Sequence, residues 1–238
     1  MNPKLAGSNI IDCIPQIGEC PNKCGQEIGE DCFYNGGRFY RTLDEPLLPS
    51  RVEAEDKIVR VNSGHDSNLQ REYVITETLK YKNKFYNTSM PRFVFPAPVV
   101  FTCNARSLLL VEPANNVMFV RVRTSMWNLE DVDKAVDWYL KKYGIPIVLT
   151  FMRYYKESSI KEEFRSYYTE KKHVLNTYFC LNTEGHLKVM ERYKGTGVRM
   201  CGTPVSSLCI DCRNCEFLYW KCMNHLNEGG FFPLKEKT

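Results

Sequence analysis

Long apolar runs are missing from this chain. Stretches such as 94–101 (VFPAPVVF) and 145–151 (IPIVLTF) have the length of a buried strand, far short of the roughly 20 residues a membrane-spanning helix needs. The first residues, MNPKLAGSNIIDC, hold no basic stretch followed by an apolar segment, so no secretory leader is expected and a reducing cytoplasm is the expected location. Histidine is scarce: His65, His173, His186 and His225 are the whole complement, and none is close in sequence to the first cysteines. There is no G-x-S-x-G, P-loop or H-E-x-x-H pattern, which removes the common hydrolase, nucleotide-phosphate and zinc-protease signatures. Charge of one sign is not in large excess. The net charge is +4 with basic residues spread along the chain, so a nucleic-acid partner is not indicated. Lys171-Lys172-His173 reads as a solvated helix end. Low-complexity tracts and internal repeats are absent.

Cysteine, by contrast, is abundant: eleven in 238 residues. Cys20, Cys24 and Cys32 stand near the front. Cys201 and the run Cys209-x-x-Cys212-x-x-Cys215 lie near the end. An odd count and the missing leader argue against a disulfide framework, and clustered cysteines in a reducing compartment point to metal or catalysis. Three thiolates leave one iron of a cubane cluster open to a further ligand, whereas four saturate a cluster. C-x2-C-x2-C is part of a known iron–sulfur run. Zinc competes at the second group, where four thiolates would close a tetrahedral site. The first group lacks a fourth ligand unless Cys13 or a distant histidine joins it. At the second group the fourth ligand is Cys201 or Cys222; Gly202 and Pro204 mark a turn that favours Cys201. Cys13, Cys103 and Cys180 read first as core residues, with Cys103 the one candidate for a catalytic thiol.

The rest of the chain alternates between strand and helix patterns. Strands are expected at 57–68 (ending in a polar turn), 92–104, 116–128, 145–155 and 177–182. Helices are expected at 69–86, capped by Ser67 or Asn68, at 129–143, capped by Asn128 and stopped by Gly144, and at 158–172 and 183–194. Apolar, mostly non-alternating strands between helices mean a parallel sheet. The fold class expected is α/β: a partial (β/α) TIM-like barrel of about six units over 1–198, with a cysteine-rich extension over 199–238 and a doubly wound sheet as the alternative. Active residues then belong at the carboxyl ends of strands. The polar residues there are Asn62, His65, Asp66, Ser67 and Asn68; Cys103 and Asn104; Arg123, Thr124, Ser125, Trp127 and Asn128; Thr150, Arg153 and Tyr154.

An N-terminal cysteine trio after a first strand, with βα units behind it, resembles the radical S-adenosylmethionine (SAM) superfamily. The residues that carry the resemblance are Cys20-Pro21-Asn22-Lys23-Cys24 and Cys32-Phe33-Tyr34. The family usually shows C-x3-C-x2-C with an aromatic beside the last cysteine. Here the first spacing and the aromatics match, while the second spacing is seven residues rather than two. The resemblance implies that Cys20, Cys24 and Cys32 hold a [4Fe–4S] cluster whose fourth iron takes S-adenosylmethionine. Reductive cleavage of that molecule then yields a 5′-deoxyadenosyl radical. It further implies that Tyr34 packs near the cofactor and that Gly64, Asp66 and Ser67 lie in the turn holding the amino group. On the same resemblance, Asn104, Arg123 and Arg153 are expected to bind the cofactor too. Cys201, Cys209, Cys212 and Cys215 would then hold an auxiliary cluster, with ferredoxin or flavodoxin as electron donor.

Three functions follow as alternatives. One is a radical enzyme acting on an unidentified substrate. Another is an iron–sulfur protein that carries electrons or senses redox state. The third is an interaction module stapled by zinc.

Overall fold

The structure is a computed structural model that describes residues 2–18, 20, 44–103, 108–172 and 177–228. Seven strands form one parallel, curled half-barrel sheet. They are β1 (Ile10–Cys13), β2 (Ile58–Val61), β3 (Lys84–Thr88), β4 (Val99–Cys103), β5 (Val117–Thr124), β6 (Ile147–Phe151) and, last in the chain, β10 (Arg199–Met200). Their order across the sheet follows their order in sequence. A doubly wound sheet reverses direction at a switch point; among the described residues no such reversal occurs. β1 to β3 are buried along their whole length, as parallel strands covered on both faces must be.

Helices cover one face of the sheet. They are α1 (Arg51–Ala54), α2 (Arg71–Thr78), and α3 (Leu129–Ala135), which continues through Lys142 in wider π-type turns. A later helix, α4 (Thr183–Arg192), precedes β10 where a helix over 183–194 is expected. Ser50 and Glu53 cap α1 reciprocally, at 3.2 and 2.8 Å, satisfying amides that the helix leaves free. Tyr86 of β3 meets Thr78 of α2 at 2.8 Å. Phe101 of β4 packs edge-on against Tyr139. Gly144, at φ +69°, ends the helix as its sequence position implies.

The inner face carries the residues in register with Arg60: Asp12 on β1, Phe85 and Asn87 on β3, Thr102 on β4, Arg121 and Arg123 on β5, Thr150 on β6 and Arg199 on β10. A C-terminal helix, α6 (Asn214–Asn227), lies against this face, with the Tyr219 ring 6.4 Å from that of Phe85. Leu218, Tyr219 and Cys222 are buried there. At the start of the cysteine-rich extension, β10 pairs with β6 as the last strand of the sheet.

Four local expectations are corrected. Helix 69–86 stops at Thr78, and Lys84–Thr88 is a central strand, buried throughout. Neither Ser67 nor Asn68 caps α2: Gln70 stands there in the left-handed region, at φ 52°. Asn128 gives α3 no side-chain cap; its oxygen accepts from the Ser125 amide at 2.7 Å and its amide donates to Arg123 O at 3.0 Å. Residues 158–172 are short 3-10 turns followed by β8 (Tyr168–Lys172). β8 pairs antiparallel with β9 (Thr177–Leu181), and β9 with β7 (Arg153–Tyr154), in a separate three-stranded sheet.

Candidate functional site

The first strand sets up the first cysteine group. Ile14 and Leu47 exchange backbone hydrogen bonds of 2.8 and 2.9 Å just beyond β1. The segment bearing Cys20, Cys24 and Cys32 thus leaves and returns at one point, the carboxyl end of β1. Cys20 is half-buried. Cys24, Cys32 and Tyr34 lie outside the described residues, as do Asn104 and His173.

Next to that point is the turn after β2. Gly18, two residues before Cys20, accepts a 2.8 Å hydrogen bond from His65 Nε2. A carbonyl only accepts, so Nε2 holds the proton and Nδ1 is left as a bare acceptor. Burial lowers the pKa of His65, against the opposing pull of the Gly18 carbonyl, so the ring is neutral near pH 7. Nδ1 has no partner among the described residues, nor do the buried oxygens Gln16 Oε1, Asn62 Oδ1 and Asn68 Oδ1. Gln16 is tied to the same turn through Leu69 O at 2.9 Å, and Asn62 Nδ2 donates to Ser67 Oγ at 3.3 Å. Asn62 adopts φ 58°, a conformation a non-glycine residue holds at some cost. Buried acceptors without donors are unfavourable. Four of them belong to or border one turn, so a donor-rich group such as an amine is the kind of partner they lack.

Asp66 is not one of these acceptors. Its Oδ1 accepts from Thr88 Oγ1 at 2.7 Å and the Asn68 amide at 2.9 Å, and its Oδ2 from the Ser89 amide and hydroxyl at 2.7 Å each. It clamps the turn to the end of β3. Ser67 is fully buried, its amide bonded to Asn87 O, and Gly64 is half-buried in the turn.

Cys103 faces the other way. It is on the helix-covered face, 1% exposed, beside Leu109 O at 3.6 Å and Tyr139 OH at 3.9 Å. Burial pushes its thiol up to about 12, so it is an inert core thiol at neutral pH. Arg123 is on the inner face opposite Thr150, and Arg153 lies over the Tyr178 ring at 4.9 Å. Beyond β5 and β6, Trp127, Tyr154, Tyr168 and Phe164 form an aromatic wall, with ring centroids 5.1–6.0 Å from Trp127. Sequence reading named Trp127 and Tyr154 only as polar rim residues. Phe164 and Tyr168 escaped it because they sit in the segment expected to be helical.

The second cysteine group sits against the inner face. Cys209 and Cys212 open and close α5 (Cys209–Cys212), Cys215 is the second residue of α6, and Cys201 follows β10. Asn214 Nδ2 holds Met200 O at 2.6 Å, joining α6 to β10. The Cys212 thiol donates to Cys209 O at 3.9 Å, and the interaction between Cys201 and Cys212 lowers the pKa of Cys201 and raises that of Cys212. Cys201 itself is exposed, and Lys4, Arg121 and Arg60 reinforce the lowering. Burial raises Cys215 to about 11, against Arg121 and Arg60. Cys209 is raised by burial and lies within reach of Arg60, Cys201 and Lys4. Cys222 is fully buried and raised to about 12 by burial alone. The arrangement thus groups Cys201, not Cys222, with the other three.

As free thiols the four are neighbours rather than a closed ligand set. Among the described residues no three Cys, His, Asp or Glu side chains converge closely enough to hold a metal ion as they stand. Arg60 is paired with Asp12 at 2.7 Å, yet its Nη2 is enclosed with no hydrogen-bond partner among the described residues. A metal-bound thiolate sulfur is an acceptor of the required charge.

No family model matches this chain. No curated protein and no solved structure matches it either. Among the described residues no helix is long and apolar enough to cross a membrane.

Proposed function

We propose that this chain is a radical SAM-like iron–sulfur enzyme built on a partial TIM-like barrel, acting on an unidentified substrate. The observation that carries this reading is the seat of the first cysteine group. It leaves the carboxyl end of the first strand of a sequentially ordered parallel sheet, and His65 ties it to a turn lined with unpartnered acceptors. Ligands of such sheets collect at that end.

Cys20, Cys24 and Cys32 would hold the first cluster, which when bound supplies the electron that cleaves S-adenosylmethionine. Gln16, Asn62, His65 and Asn68 would offer acceptors for the N–H bonds of that molecule's amino group. Asp66 fixes the turn that presents them. The aromatic wall of Trp127, Tyr154, Tyr168 and Phe164 keeps water from one side of the hollow, as reactive intermediates require. Cys201, Cys209, Cys212 and Cys215 would hold the second metal centre, and a small one-electron carrier such as ferredoxin or flavodoxin would reduce the enzyme.

The test is to purify the full chain without oxygen, assay iron, sulfide and zinc, then add S-adenosylmethionine and a strong reductant. About eight irons per chain, two cubanes' worth, with 5′-deoxyadenosine released, is the expected result. About eight irons without cleavage would assign an electron-carrying role instead. Zinc with negligible iron would overturn the proposal.

A further inference from the structure

An open half-barrel leaves two sheet edges, and an edge presents backbone groups that can pair with another chain. β10 forms one of them, with β6 as its neighbour in the sheet. Met200 stands opposite Leu149, and the Cys201 amide donates to Leu149 O at 2.8 Å. In a parallel ladder this turns the backbone groups of Arg199 and Cys201 toward β6 and those of Val198 and Met200 outward. Two outward groups are used: the Val198 amide donates to Thr196 Oγ1 at 3.3 Å, and Met200 O accepts from Asn214 Nδ2 at 2.6 Å. Val198 O and the Met200 amide have no hydrogen-bond partner among the described residues. That carbonyl and that amide are what an added strand would bond, in either direction, with one of its residues opposite Arg199. Beside this edge lies a groove of about 440 Å³, lined by Val198, Arg199 and Met200 and by His186, Met190 and Tyr193 of α4 and its C-cap. His186 is 6% exposed, and its Nε2 is enclosed without a partner among the described residues.

Charge selects the occupant. Arg199 has no ion pair among the described residues: its guanidinium lies over the Phe217 ring at 4.4 Å and donates to the neutral Asn214 Oδ1 at 3.4 Å. Lys194 also lines the groove, paired with Glu191 at 3.3 Å in an exposed contact, and the lining acid, Asp211, is bonded by Ser206. A second copy of this chain pairing antiparallel, edge to edge, would set Arg199 against its own counterpart, and like charges directly opposite are destabilising. An acidic residue in that place is stabilised for the same reason. We propose that the β10 edge docks an extended acidic segment of another polypeptide, which joins the sheet as a further strand with an aspartate or glutamate opposite Arg199. His186 packs on Phe151, which points away from the face that carries Thr150 and Arg199, so α4 lies on the opposite face. Side chains alternate along a strand, so the residues flanking the acid meet Met190 and Tyr193 and are apolar. No metal at either cysteine group is required for this docking.

The probe is a fluorescein-labelled heptapeptide with one central glutamate, flanked on each side by a valine and then threonines. Its binding to the full chain, purified without oxygen, is read by fluorescence anisotropy. One control carries lysine in place of the glutamate. Another is N-methylated at the glutamate and at the residue after it, the amides that reach Val198 O in a parallel or an antiparallel strand. The unmodified peptide is expected to bind about tenfold more tightly than either control, the scale of one hydrogen bond or one charge pair. Arg199→Glu should invert the charge preference, so that the lysine peptide binds about tenfold more tightly than the glutamate peptide; misfolding cannot produce that gain. Met200→Pro removes only an outward amide, which an edge strand tolerates, and should weaken the glutamate peptide about tenfold. No binding of the glutamate peptide, equal binding of all three, or an Arg199→Glu chain that keeps the original preference would overturn the proposal. A dimer in sedimentation velocity that Met200→Pro dissolves would give the edge to a second copy and overturn it too.

Discussion

Asp66 shows how a residue chosen for chemistry can be needed for architecture. Four hydrogen bonds of 2.7–2.9 Å saturate its carboxylate and join the turn after β2 to Thr88 and Ser89. Replacing it with alanine strands buried donors, at about 3 kcal/mol. Asp66→Ala is therefore expected to lower the urea midpoint of the metal-free chain, with Ser89→Ala costing about 1 kcal/mol; an unchanged midpoint for both would contradict the clamp. The histidines give a second prediction. Burial lowers the pKa of His65 and His186 below the ordinary 6.5. The unfolded chain then takes up protons first as pH falls. Their contribution to stability is complete above pH 6.5 and is lost as pH drops from there through the lowered folded values. Thermal midpoints should fall across that window. His186 packs on Phe151 with centroids 4.6 Å apart, so His186→Phe keeps the contact and should flatten the profile. An equally steep decline in that variant would remove His186 from the account.

At the scale of elements, the four-cysteine site depends on short pieces meeting: the end of β10, one turn of α5 and the start of α6. Cys201→Ala should empty the second site of metal. Cys222→Ala should leave metal content unchanged and cost roughly 1 kcal/mol of packing. The reverse pattern, read by elemental analysis, would move the fourth ligand to Cys222. Why some elements were legible in sequence and others not has a physical basis. α3 announced itself through its periodicity, its acidic first turn and Gly144, and β4 and β6 through apolar runs with no polar break. β3 did not, because Lys-Phe-Tyr-Asn-Thr is amphipathic as written. Lys84 is nonetheless buried, its Nζ donating to Tyr81 O at 2.8 Å, and Asn87 is spent on Val61 O. β8 was hidden by Glu170, Lys171 and Lys172, which suit a helix surface and an exposed edge strand equally well. The cysteine spacing pointed to the second group. The Asp12–Arg60 ion pair did not show in the sequence, since only strand register brings those two residues together.

For the whole molecule, the question is whether the two cysteine groups act as one centre or two. The first is anchored outside the carboxyl end of β1 by the Ile14–Leu47 pairing. The second is anchored through β10 and α6, which Asn214 joins. Nothing in the strand order requires one to be filled before the other, since β1 and β10 stand at opposite edges of the sheet. Independent loading follows. Cys20→Ala is expected to lose about half of the roughly eight irons and all release of 5′-deoxyadenosine, with the second centre's EPR signal intact. Cys209→Ala should lose the other half, and the first centre should still bind S-adenosylmethionine, seen as a shift in its EPR spectrum. If either single substitution emptied the chain of metal, the two groups would share one centre, and the half-barrel would be holding a single site assembled from both ends of the sequence.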